Sequence, residues 1–153
     1  METEYTEQLT AAKRKLNYLL SKRDYSSGAL REKLIAAEFS EDIADEAIAY
    51  AVGKGYINDE RYAENYGDYL FYNRRLSLFD VRRKMSERGI PTDLIAVTAD
   101  KYTDDEVLEN IKWLLLHKYQ NKISEKAIAA LSRKGYRYSE ITKAQKEIEE
   151  DTE

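Results

Sequence analysis

Cysteine is absent from the 153 residues, so disulfides, thiolate nucleophiles and cysteine metal sites are all excluded. There is one histidine, His117, and no carboxylate within several residues of it, so neither metal ligation nor histidine acid–base chemistry is expected. Proline occurs once and glycine 6 times, which leaves few breakers of helix. The longest apolar run, Ala47 to Val52, falls far short of the roughly 20 residues a membrane span requires. The first ten residues carry Glu2, Glu4 and Glu7 and no apolar stretch, unlike a signal or transit peptide. A cytoplasmic protein with no membrane partner is therefore expected. No GxxxxGK[ST], GxGxxG or nucleophile-elbow motif occurs, so we expect no cofactor, no metal, no catalytic residue and no enzymatic activity.

The chain does have charge, at 35% of residues, balanced by 42% hydrophobic content that argues against disorder. The net charge of −4 conceals segregation. Lys13, Arg14, Lys15, Lys22 and Arg23 lie in an acid-free stretch, and Arg74, Arg75, Arg82, Arg83, Lys84 and Arg88 face only Asp80 and Glu87 within 71–90. A third basic stretch runs from Lys112 through Lys118, Lys122, Lys126 and Arg133 to Lys134 and Arg137, with acidic blocks between the three. This pattern is either a basic surface on an acidic protein or a set of neighbouring helices that neutralise one another.

Apolar spacing is helical nearly throughout. Leu9, Ala12, Leu16, Leu19 and Leu20 form one stripe; Ser26 or Ser27 then caps a helix through Leu30, Leu34 and Ile35. Ser40 caps a third, with Ile43, Ala47, Ile48, Ala51 and Val52 as its buried face and Gly53 or Gly55 as its end. The same pattern recurs. Asp59 opens a long helix, Ser77 a shorter one closed at Gly89, and a third carries Leu94, Ile95 and Val97. Again, Thr103 or Asp104, Ser124 and Ser139 open three helices, with Gly135 closing the middle one. Leu34, Met85 and Leu131 correspond, as do Leu30, Val81 and Ala127, and Phe39, Ile90 and Tyr136, at offsets of 51 and then 46 residues. The predicted fold is all-α, an elongated array of three tandem three-helix repeats: a lead-in over 1–10, repeats over 11–58, 59–102 and 103–149, and a frayed tail over 150–153. Single units of this size bury their faces poorly alone, so stacking is expected.

Several residues admit two readings. In Gly55-Tyr56-Ile57-Asn58-Asp59, Gly55 suits a helix C-cap, Tyr56 and Ile57 an interface plug, and Asp59 the N-cap of the next helix. Arg82, Arg83 and Lys84 are consecutive on a helix and fan over ~200°, so they do not all face one partner. Arg74, Arg75 and Arg88 complete the binding candidates, against a solvated face of internal ion pairs. Tyr62, Tyr66 and Tyr69 fall on one helical stripe. The stripe reads first as core between helices. Alternatively Tyr62 and Tyr69 offer contact area to a partner or stack on single-stranded bases. Trp113 reads as core.

The run Gly55-Tyr56-Ile57-Asn58-Asp59-Glu60-Arg61-Tyr62-Ala63, then Arg74-Arg75, then Val81-Arg82-Arg83-Lys84-Met85 through Arg88-Gly89-Ile90-Pro91, resembles the RecX regulatory family. Ala12 to Leu34 is similar to that family's first repeat and Ile123 to Ile141 to its third, so the resemblance covers roughly residues 11–145. The chain departs from the family at Leu76-Ser77-Leu78, where a glycine is common. The resemblance implies a protein without chemistry of its own. Its expected partner is the RecA recombinase filament, bound in its groove on single-stranded DNA, with ATPase, strand exchange and co-protease activity modulated, above all restrained. Direct contact with single-stranded DNA is expected to be weak or indirect, and the protein a monomer. The competing reading is a helical DNA-binding module that acts without recombinase.

Overall fold

The computed structural model describes residues 2–119 and 124–151. Lys122 and Ile123, Met1, and the last two residues of the tail lie outside them. The described residues form helices and no strand: α1 (Glu2–Lys22), α2 (Ser27–Ala36), α3 (Glu41–Gly53), α4 (Asp59–Asp68), α5 (Leu78–Glu87), α6 (Thr92–Asp100), α7 (Asp104–His117), α8 (Glu125–Arg133) and α9 (Tyr138–Asp151). A π-helical turn, Tyr69–Asn73, prolongs α4. The fold is all-α, as its helix-forming composition requires.

Hydroxyl caps account for most of the helix starts. Ser26, Ser40 and Ser124 accept from the backbone N–H three residues on, at 3.1, 3.2 and 3.1 Å. Ser77 does the same for Asp80 at 3.2 Å. Thr103 makes a full capping box with Glu106. Ser139 is not a cap: α9 starts at Tyr138, where the Arg137 N–H donates to Glu140 at 2.9 Å. Nor does Asp59 cap α4. Asn58 does so, accepting from the Arg61 N–H at 3.0 Å. The Asp59 carboxylate instead accepts from the Ser27 backbone N–H, at 2.8 Å, and from the Ser27 hydroxyl, and so serves the start of α2.

Contacts divide the chain into two compact units, residues 1–64 with 86–94 and residues 65–85 with 95–153. The first is built on Ala12, Leu16, Leu30, Leu34, Ile43, Ala44, Ala47, Ala51 and Ile57. Val52, expected inside, is half exposed, and so is Tyr56, which meets Tyr50 edge-on at 6.4 Å. In the second unit Phe71 stacks on Tyr102 at 4.2 Å, and Met85, Ile111, Leu115, Leu131 and Ile141 are fully buried. Val97 is exposed, the buried face of α6 being Ile95, Thr98 and Ala99. Trp113 is also exposed, at 40%, whereas its neighbours Leu114 and Leu115 take the core positions. The tyrosine stripe is not core. Gly67 and Leu70 hold the buried row, and a Cβ on Gly67 would meet Thr98 and the Tyr102 hydroxyl at 2.7 and 2.9 Å. That close approach leaves Tyr66 and Tyr69 to flank it, stacked on each other at 6.5 Å.

The helix ends repeat one device. Gly89 and Gly135, after α5 and α8, take positive φ of 77° and 100°. Glu38, 51 residues before Gly89, occupies the equivalent place after α2 with φ of 71°. The Phe39 N–H then reaches the Leu34 carbonyl at 3.1 Å, as the Tyr136 N–H reaches Leu131 at 3.2 Å. A Cβ is strained in this conformation, so Glu38→Gly should stabilise the fold by about 0.5–1 kcal/mol. A lower urea midpoint for the variant would show that Glu38 contributes something beyond its backbone.

Candidate functional site

Two linkages fix the loops that carry the basic residues. The Ser26 hydroxyl, at the start of α2, donates to the Arg88 carbonyl in the first unit. In the second, the Ser77 hydroxyl, at the start of α5, donates to the Lys134 carbonyl. In both, a cap serine reaches the carbonyl just before a positive-φ glycine. Each cap therefore satisfies an orphan amide on one side and an orphan carbonyl on the other.

The predicted candidates divide between the units. In the first, the Arg88 guanidinium donates to the Tyr62 hydroxyl at 3.2 Å, and Tyr62 is half-buried. The second holds Arg74, Arg75, Arg82, Arg83, Lys84 and Tyr69. Tyr69 is 48% exposed. Arg82 and Arg83 are about half exposed, Arg82 lying 4.0 Å from Asp100 and Arg83 3.4 Å from Asp80. A surface pair such as that of Arg82 with Asp100 contributes at most about 1 kcal/mol, so Arg82 exchanges its partner for another anion at little cost.

Arg75 stands apart. It follows Arg74, the C-cap of the π-helical turn, with φ of 52°, and its carbonyl accepts from the Tyr136 hydroxyl at 2.6 Å. Its guanidinium donates to Asn110 at 3.1 Å and lies 4.4 Å from the Trp113 ring centroid. Buried Asn110 in turn donates to the Phe71 carbonyl at 2.9 Å, and Trp113 stacks on His117 at 4.6 Å. Asn110 thus joins the arginine to a backbone carbonyl that the π turn leaves outside the regular ladder. The non-glycine positive φ is held by three contacts of Arg75 itself.

Beside Ser77 opens a cleft of about 660 Å3, lined by Phe79, Arg82, Arg83, Arg137 and the acids Asp104 and Glu140. Phe79 is 66% exposed. The spacing of apolar residues did not single out Phe79 or Arg137. The signal was present in the repeat, because Phe79 aligns with Gly28 at the same offset of 51 and so stands in the first turn of a helix. A large apolar side chain placed there, among arginines, suits a contact surface.

Phenol–carboxylate pairs set the alkaline behaviour. Tyr102 donates to Asp68 at 2.7 Å, and Tyr72 donates to Glu106. The bond to Glu106 is the chief cause that pushes Tyr72 up to about 12, while the same bond, with Thr103, holds Glu106 below its ordinary value. Burial raises Tyr102 and Tyr136 further, Asp68 adding to the rise at Tyr102. A folded pKa above the unfolded one gives stability that is complete below the unfolded value near 10 and is lost as pH rises through the folded value. Urea midpoints should therefore fall from pH 8 to pH 11, and fall less for Tyr102→Phe. Equal losses in both proteins would contradict this origin.

Among the described residues, no group of three or more His, Cys, Asp or Glu side chains could hold a metal, and no helix is long and apolar enough to cross a membrane. Residues 12–50 match the family model for the first three-helix domain of RecX. The chain is 30% identical over 133 residues to the regulatory protein RecX of Haemophilus influenzae (strain PittEE), covering 78% of each. It is 29% identical to that of Trichlorobacter lovleyi, covering 78% of this chain and 83% of the relative. Against the RecX of Streptococcus sanguinis identity is 26%, and the chain spans only 55% of that relative's length. The crystal structure of RecX from Lactobacillus salivarius superposes with a TM-score of 0.82 at 22% identity, over 94% of this chain and 98% of that one.

Proposed function

Because the chain belongs to the RecX family of regulatory proteins, we propose that it binds in the groove of the RecA filament on single-stranded DNA and restrains the filament's ATPase, strand exchange and co-protease activity. Family membership carries this reading, and the cleft of Phe79, Arg82, Arg83 and Arg137 supports it as the contact. Exposed guanidiniums meet carboxylates or phosphates in paired geometry, and the exposed phenylalanine adds apolar area at the centre of the contact. Arg75 acts through position: its clamp on Asn110, Trp113 and Tyr136 holds the loop that leads into α5. Three repeats, over 11–58, 59–102 and 103–149, place successive surfaces on neighbouring recombinase protomers, so affinity depends on filament geometry. A preference of ~1–3 kcal/mol for one filament state changes turnover measurably. The protein acts as a cytoplasmic monomer and without catalysis.

Co-sedimentation tests this reading. The chain should pellet with recombinase filaments locked by a non-hydrolysable ATP analogue on single-stranded DNA, and much less with the same DNA alone. Equal recovery with naked DNA would favour the alternative, a DNA-binding module that needs no recombinase, for which the basic residues around Phe79 are the supporting feature.

A further inference from the structure

Aromatic rings of the first unit stand exposed among cations, and the contact proposed around Phe79 uses none of them. Tyr50, in the last turn of α3, is 39% exposed. Tyr56, three residues beyond the end of that helix, is 50% exposed, and the two rings meet edge-on. The Lys13 ammonium of α1 lies 4.0 Å from the Tyr50 ring centroid, and the Lys54 ammonium 5.8 Å from it. Cation–π attraction accounts for both amines. It does not account for Tyr56, whose ring no cation covers among the described residues. The backbone nonetheless holds that ring in place. Gly55 takes φ of 76°, the Tyr56 N–H donates to the Ala51 carbonyl at 2.9 Å, and Ile57 is buried. A large side chain presented by a fixed turn loses little entropy on meeting a ligand. Beyond Tyr56 a crevice bordered by Tyr25, Asn58, Arg61 and Tyr62 continues the surface, with Asp24 as its acid. Among the described residues Lys13, Lys54 and Arg61 form no ion pair.

We propose that Tyr50 and Tyr56, with Lys13, Lys54 and Arg61, form a binding site for single-stranded DNA. Every base has a π face, so exposed tyrosines accept unpaired bases of any sequence. A duplex keeps those faces inside its own stack and offers mainly its phosphates. The flanking cations meet the phosphates that link the stacked bases, and they have no carboxylate to release first. An acidic peptide would use the cations and leave the rings idle, so the pairing of both features favours the single strand. All five residues belong to the first unit, whereas Phe79 and its arginines belong to the second. The site therefore goes beyond the filament reading and does not depend on it.

The test uses the full chain and a fluorescein-labelled oligothymidylate, followed by anisotropy at several salt concentrations. Wild type should bind weakly, with a Kd on the order of 10⁻⁵ M near physiological salt. Tyr56→Ala should weaken binding about 5–30-fold and leave the log–log salt slope unchanged, since it removes stacking and no charge. Tyr56→Phe keeps the ring and should bind as wild type does. Lys54→Met should instead lower the slope by ~0.7, one phosphate contact on a single strand. All three side chains changed are exposed, so each variant should melt within about 2 °C of wild type. A duplex of the same length should be indifferent to Tyr56→Ala. Unchanged affinity in a folded Tyr56→Ala protein overturns the proposal, as does an unchanged slope for Lys54→Met. So does an equal loss in Tyr56→Phe, which would leave stacking no part in binding. Competition by polyglutamate as strong as by unlabelled oligothymidylate would overturn the choice of ligand. No recombinase is present, so failure here is distinct from failure of the filament reading.

Discussion

Gly28→Ala should lower stability by about 3 kcal/mol and the Tm by roughly 6–12 °C. Gly28 lies in the first turn of α2, and a Cβ there would sit 2.5 Å from the Gly89 carbonyl oxygen and 3.3 Å from the Gly89 carbonyl carbon and Cα. All three atoms are backbone, so no rotamer change relieves the clash. Movement is blocked from the other side as well. Gly89 takes positive φ, its own hypothetical Cβ would lie 2.9 Å from the Ala29 nitrogen, and Ser26 bonds to the carbonyl before it. Separating the two backbones therefore breaks a cap and a loop anchor together. Gly53→Ala is the internal comparison, since nothing lies within 4 Å of its Cβ and the residue is helical. It should be neutral or slightly stabilising. A Gly28→Ala protein melting within 2 °C of wild type would mean the two backbones do not approach this closely in solution.

Reversing two charges on α5, Arg82→Glu with Arg83→Glu, should weaken filament binding by about 10–100-fold. Both residues are half exposed, Arg82 facing the exposed Asp100 and Arg83 the largely buried Asp80, so the fold should survive the change with a Tm loss of a few degrees at most. Each arginine lost from a desolvated contact removes a charge-assisted bond, and each glutamate adds repulsion against the acids or phosphates it met. Fluorescence anisotropy of labelled protein with locked filaments reads the loss directly. Unchanged affinity in a folded double variant would remove this cleft from the interface and direct attention to Arg88 and Tyr62.

Most of the helical framework was legible because caps are local. Ser26, Ser40, Ser77, Thr103 and Ser124 each act within three residues of themselves, and the apolar rows Leu30–Leu34, Val81–Met85 and Ala127–Leu131 obey one period. What escaped depends on partners distant in the chain. Asp59 has the right chemistry for a cap, but its carboxylate serves Ser27, 32 residues away, while Asn58 caps α4. The tyrosine stripe has the period of a core face. It is displaced because Gly67 lets Thr98 and Tyr102 come close, a gain that no hydrophobicity pattern registers. Trp113 sits beside two buried leucines and is held outside as a platform for Arg75 and His117. Of the binding candidates, the arginines of α5 could be chosen from charge alone. Separating Arg75 from Arg74 required the π-helical turn, whose extra residue no periodicity reveals.

ATP hydrolysis by the recombinase on single-stranded DNA, followed as this protein is titrated in, tests the central claim most directly. Regulation through the filament predicts a fall in turnover that saturates well below one copy per recombinase protomer, and that shifts to higher concentration for the Arg82→Glu, Arg83→Glu variant. Unchanged hydrolysis, with filaments present and this protein folded, would contradict it.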